Sequence, residues 1–204
     1  LPTRRYNTLT ARVSNLEKNL LPTISPSGKY TPNQYDLARS YLILCHAEVE
    51  SYLEDITLSV LHSAKKRWTS ENRAGRCLTA LLMYEEKKMP TPISLDKKKP
   101  NETMSGFISN AVKNHERFIT RENHGVKETN ILRLLLPVGL LESDLDPVWL
   151  SSMNSFGVSR GVIAHSSARH VSTPPDPLSA KNSVASVLGG LMLIEPKIVK
   201  LRRQ

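Results

Sequence analysis

The sequence predicts an all-α fold, a helical bundle with additional terminal helices. Apolar residues recur at three- and four-residue spacing along most of the chain. No stretch alternates with the period of two that a half-buried strand needs. One long segment, 33–68, contains neither Pro nor Gly, and a helix of that length fits a bundle better than an α/β layer. Hydrophobic content of 39% excludes a wholly disordered chain, and 204 residues suffice to bury a core.

The elements follow in order. Tyr6, Leu9, Val13, Leu16 and Leu20 form a narrow stripe that predicts a helix over 3–21. This is either an arm or the first bundle helix. Pro22, Pro26, Gly28 and Pro32 mark a loop. Residues 33–68 carry a broad stripe from Tyr41 to Leu61 and end in Lys65-Lys66-Arg67. A third helix is expected at about 70–88, although Gly75 weakens it. Three prolines and Lys97-Lys98-Lys99 make 89–100 a loop with a solvated basic face.

A fourth helix starts at Asn101 and is stopped by Asn123-His124-Gly125; a fifth spans 127–136. Asp146-Pro147 then provides an acceptor at the N-cap and Pro at the first helical position. Trp149, Leu150, Met153 and Phe156 follow at helical spacing, leading to Arg160 and His165. Asp176-Pro177 repeats the capped start and opens the last helix, which Pro196 is expected to kink. The expected organisation is a helical arm and loop over 1–32, a core bundle over 33–175, and a C-terminal helix over 176–204 that packs on the core or a partner.

The formal net charge of +9 points to an anionic partner, with nucleic acid ahead of a membrane surface. The longest apolar run, Val184 to Ile194, is too short to cross a bilayer. Cys45 and Cys77 read as buried free thiols in a reducing compartment, and the expected location is the cytoplasm. Leu rather than Met stands first, which leaves open what precedes it. No P-loop, nucleophile elbow or zinc spacing is present. His46 and Glu50 stand four apart and can share a metal, but the paired Glu-x-x-His segments of di-iron bundles are missing, so a packed polar pair is expected.

Arg-x(4–6)-His occurs three times, at Arg39/His46, Arg117/His124 and Arg160/His165. The pattern alone is weak, because about one match is expected by chance in a chain this rich in Arg and His. Only the third follows a capped helix start late in the chain. Two other segments add context: DLARSYLILCHAEVESYLEDI at 36–56, with its HAxxE, and KNHERFITRENHGVKETNILRLLLPVGL at 113–140. With SRGVIAHSS at 159–167, their order and spacing resemble the HEPN superfamily, specifically its RiboL-PSP branch, over about residues 33–170. One departure stands out. Many members carry Asn, Asp or His directly after the Arg, and here Gly161 occupies that place.

The resemblance implies a metal-independent endoribonuclease, without cofactors, that acts as a toxin or phage-defence effector. It implies catalysis by Arg160 and His165 in a homodimeric cleft, with Glu50 of HAxxE as a supporting carboxylate. RNA is the expected partner, alongside an antitoxin or other regulatory protein, and no membrane. The residue types suit the chemistry. RNA carries its own 2′-OH nucleophile, His moves a proton near neutral pH, and Arg holds phosphate oxygens through a planar fork. Arg169, His170, Lys65, Lys66 and Arg67 are candidate RNA contacts. The alternative is a non-catalytic helical module that binds RNA, a nucleotide or a protein. A regular helix turns positions 160 and 165 about 140° apart and about 7.5 Å along its axis, so one copy converges them poorly.

Overall fold

The computed structural model describes residues 2–84, 103–165 and 174–204, with only the backbone of Ala164 and His165. Seven α-helices and no strand are present among them. They are α1 (Arg4–Leu20), α2 (Pro32–Glu71), α3 (Arg76–Tyr84), α4 (Met104–Arg117), α5 (Glu128–Leu135), α6 (Pro147–His165) and α7 (Pro177–Arg203).

The long helix α2 is the spine, and each of the other six helices packs against it. Its start is over-determined. The Thr31 hydroxyl accepts from the Gln34 N–H at 3.3 Å, the Gln34 side chain accepts from the Thr31 N–H at 2.8 Å, and Pro32 takes the first turn. Its end is equally definite, since Asn72 adopts a left-handed conformation with φ 51°. That turn is why the third helix begins at Arg76 rather than near residue 70. Thr103 caps α4 through the Gly106 N–H at 3.1 Å; the expected start at Asn101 lies outside the described residues.

The narrow stripe of α1 (Tyr6, Leu9, Val13, Leu16) is buried in the common core against α2 and α7. One buried carboxylate ties these three helices together. Glu195 of α7 accepts from the Thr3 N–H at 2.7 Å and from the Tyr52 hydroxyl of α2. Tyr6 packs edge-on to Tyr52 and donates to the Leu188 carbonyl at 2.9 Å. Helix α7 continues through Pro196 to Arg203.

A π-turn, Phe118–Glu122, which the apolar spacing does not announce, closes α4. There the Asn123 N–H reaches back to the Phe118 carbonyl at 2.9 Å. The turn carries the chain out of α4 and into the loop 123–127, which returns to α2. His115, just before it, is buried and stacks on Phe118, and the Arg133 guanidinium lies 4.5 Å from the same ring.

Burial pushes the His115 imidazole down to about 4, against an opposing hydrogen bond to the Leu134 backbone. The folded state therefore binds this proton less readily than the unfolded chain, whose histidines titrate near ~6.5. His115 contributes its full stability above that value, and loses it as the pH falls from about 6.5 towards about 4. The loss amounts to about 3 kcal/mol at the acid end. Urea unfolding across this range should show the decline in wild type and a flatter profile in His115→Gln. Identical profiles would contradict the assignment.

Candidate active site at the crossing of the second and sixth helices

Helix α6 starts where Asp146 accepts from the Val148 N–H at 2.9 Å. Trp149 anchors it by donating to the Val187 carbonyl of α7 at 3.1 Å. Trp149, Leu150, Met153, Phe156 and Ile163 are buried. The opposite side carries Val148, Ser151, Ser155, Val158 and Val162, all exposed and spaced 3, 4, 3, 4. Arg160 is also exposed, and no hydrogen bond or ion pair of its guanidinium falls among the described residues.

Beneath Arg160, α2 presents polar groups to α6. His46 is 2% exposed and lies against Phe156, ring centroids 5.5 Å apart. Its Nδ1 is 3.6 Å from Glu50 Oε2. Burial lowers the His46 pKa; the Glu50 carboxylate opposes the shift and the Arg160 guanidinium adds to it. The ring is therefore neutral at neutral pH, and its contact with Glu50 is not a charge pair. Glu50 has a second partner, because its Oε1 accepts from the Gly125 N–H. Gly125 has φ +105°, a backbone conformation that side-chain-bearing residues rarely adopt. One turn further along α2, burial and the charges of Glu50 and Asp55 raise the Glu54 pKa, while His124 works the other way. Arg39 of α2 donates to the Ile163 carbonyl at 3.1 Å and ties the last turn of α6 to the spine.

A family model described as RiboL-PSP-HEPN matches residues 7–187. The chain belongs to the RiboL-PSP-HEPN family. No curated protein and no solved structure gives a match. The HEPN match runs from α1 into α7, so the α2–α6 crossing lies within it. HEPN proteins are associated with ribonuclease activity, and the Arg-x4-His pair of this chain stands on α6.

Arg160 lies close enough to His46 and Glu50 for its charge to act on the same ring. His165 is the final residue of α6, and its side chain lies outside the described atoms. Glu50 is engaged by His46 and Gly125, with no ion pair to Arg160 within 4 Å among the described residues. Arg169 and His170 lie outside the described residues. Lys65, Lys66 and Arg67 are not brought to this place. They sit roughly 25 Å further along α2 than Glu50, where Arg67 donates to the Leu201 and Arg202 carbonyls at the end of α7. Of the two other Arg/His matches, Arg117 pairs with Glu122 at 2.9 Å. Arg39 and His46 both face α6, although their spacing in sequence carries no sign of it. A Cβ at Gly161 would meet nothing within 4 Å, so packing does not demand glycine there. Among the described residues no three His, Cys, Asp or Glu side chains gather as a metal site, and no helix is long and apolar enough to cross a membrane.

Opposed charges acting on one buried ring give a direct test. In an NMR titration, His46 should titrate at higher pH in Arg160→Ala than in wild type, and at lower pH in Glu50→Gln. Glu50→Ala should also destabilise the fold by about 1–3 kcal/mol, because the Gly125 N–H loses its acceptor. An unmoved His46 in both charge variants would separate Arg160 from this cluster.

Proposed function

We propose that the protein is a metal-independent endoribonuclease whose reaction is carried by Arg160 and His165. The observation behind this reading is the exposed guanidinium of Arg160, without a partner among the described residues, five residues before His165 ends α6 in a HEPN chain. In the proposed reaction His165 takes the proton from a ribose 2′-OH as that oxygen bonds to phosphorus. Arg160 holds the non-bridging oxygens while charge builds on them. The bond to the 5′-oxygen breaks, that oxygen takes up a proton, and the products are a 2′,3′-cyclic phosphate and a 5′-OH end. Single-stranded or loop RNA is the fitting substrate, since unstacked nucleotides reach the in-line geometry that A-form helices withhold.

A homodimer through α6 follows from the poor convergence of the pair within one helix. The small-residue seam of Val148, Ser151, Ser155, Val158 and Val162 supports it, because short side chains let two helices approach closely. The biological role consistent with the family resemblance is a toxin or phage-defence effector in the cytoplasm, restrained by an antitoxin or other regulatory protein. One observation favours the second reading, a non-catalytic RNA-, nucleotide- or protein-binding module: Gly161 supplies no polar side chain next to Arg160.

Purified wild type should cleave loop RNA in EDTA and leave DNA of the same sequence intact. His165→Ala should lower the rate on the order of 10²-fold or more, and Arg160→Lys should also be damaging because an ammonium lacks the bidentate fork. Cleavage undiminished in His165→Ala would remove His165 from the reaction, and no cleavage across a broad RNA panel would favour the binding module. Light scattering at micromolar concentration should give a dimer mass for wild type and a lower mass, with lower activity, for Val158→Glu. A monomeric mass in an active wild-type preparation would contradict the α6 dimer.

A further inference from the structure

The loop 123–127 brings one more cation to α6. Asn130 braces the loop by donating to Asn123 Oδ1 at 3.2 Å and to the His124 carbonyl at 3.3 Å, and Glu50 holds it at Gly125. Lys127 ends the loop and stands at the N-cap of α5, where it makes no side-chain cap. Residues favoured at that position accept a backbone N–H, and a lysine cannot. A cation also sits badly against the positive end of a helix. Across the contact stands Gly157, inside α6, where glycine is unfavourable. A Cβ at Gly157 would come within 2.8 Å of Lys127 Cγ and 3.3 Å of its backbone nitrogen.

Two locally unfavourable choices therefore meet at one point, and together they lay the Lys127 stem directly on α6. Gly157 precedes Arg160 by three residues, which makes them neighbours on the helix surface. Lys127 and Arg160 are both exposed, and among the described residues no carboxylate pairs with either. We propose that Lys127 is an RNA-phosphate-binding residue of this site, holding a backbone phosphate beside the one held by Arg160. The proposal rests on the reading of α6 as the RNA-cleaving helix and adds a residue from a different element. A phosphodiester backbone, with its repeating negative charge, can meet Lys127 and Arg160 at neighbouring phosphates.

The test is binding of a 2′-O-methyl RNA, which lacks the nucleophile and cannot be cut, measured by fluorescence anisotropy over a salt series. Lys127→Met keeps the stem against Gly157 and removes the charge. It should weaken binding by roughly fivefold at ~0.1 M salt and reduce the slope of log K against log salt by about 0.7, one single-strand phosphate contact. Lys127→Arg should restore most of the affinity. Lys113→Met removes the same charge from α4, near the Glu116–His62 pair about three turns of α2 from Glu50, and should change the slope less. Wild-type-like binding and slope in Lys127→Met, with binding weakened in Arg160→Ala, would overturn the proposal and leave the nuclease reading standing. Loss of binding in Lys127→Met by a protein that cuts no RNA would support Lys127 and remove the catalytic reading. Absence of RNA binding by wild type would overturn both.

Discussion

The structure depends on one uninterrupted helix. Helix α2 buries a broad stripe from Ala38 and Tyr41 to Leu61 and Ala64, while Ser40, Leu44, Ala47, Ser51 and Asp55 stay exposed along its opposite side. A helix of this length is stabilised by its neighbours, and all six of the other helices pack on it. Its polar buried residues are few and specific. Thr57 satisfies its hydroxyl on the Leu53 carbonyl at 2.7 Å, Tyr52 donates to Glu195, and His46 meets Glu50 and Phe156. The Thr57 bond stays within α2, whereas Tyr52 and His46 mark places where α7 and α6 are fixed against the spine.

The consequence for function is a division along the length of α2. Its stretch from Arg39 to Glu54 carries Arg39, His46, Glu50 and Glu54 towards α6 and the 123–127 loop. Its C-terminal end carries Lys65, Lys66 and Arg67 away from that place, and Arg67 reaches the end of α7. Burial leaves His46 neutral, so it contributes a dipole and a packed ring under Arg160 rather than a second positive charge. Glu50 accepts a hydrogen bond from the Gly125 backbone and lies 3.6 Å from His46, so it fixes the position of the loop against α2 rather than pairing with Arg160.

The helices were legible because their signals are local. Stripes at three- and four-residue spacing placed all seven, and Asp146-Pro147 and Asp176-Pro177 marked two of their starts to the residue. The boundaries near Asn72 and Thr103 were less legible, since a left-handed turn and a single hydroxyl decide them. The HEPN assignment was readable from three segments in order, and HAxxE drew attention to Glu50. What escaped was everything set by distant contacts. The Asn123-His124-Gly125 stop is a local signal, but its hydrogen bond to Glu50 spans 75 positions. Lys127 against Gly157 has no periodicity to announce it, and Arg39 against Ile163 hid in a spacing that also arises by chance.

The central claim is that α6 carries RNA cleavage by the substrate's own 2′-OH. Its most direct test is mass spectrometry of the ends left on a defined loop RNA after digestion by the purified protein in EDTA. The account predicts 2′,3′-cyclic phosphate on the upstream fragment and 5′-OH on the downstream one. A 5′-phosphate with a 3′-OH would mean that water or another external nucleophile attacked, and would contradict it.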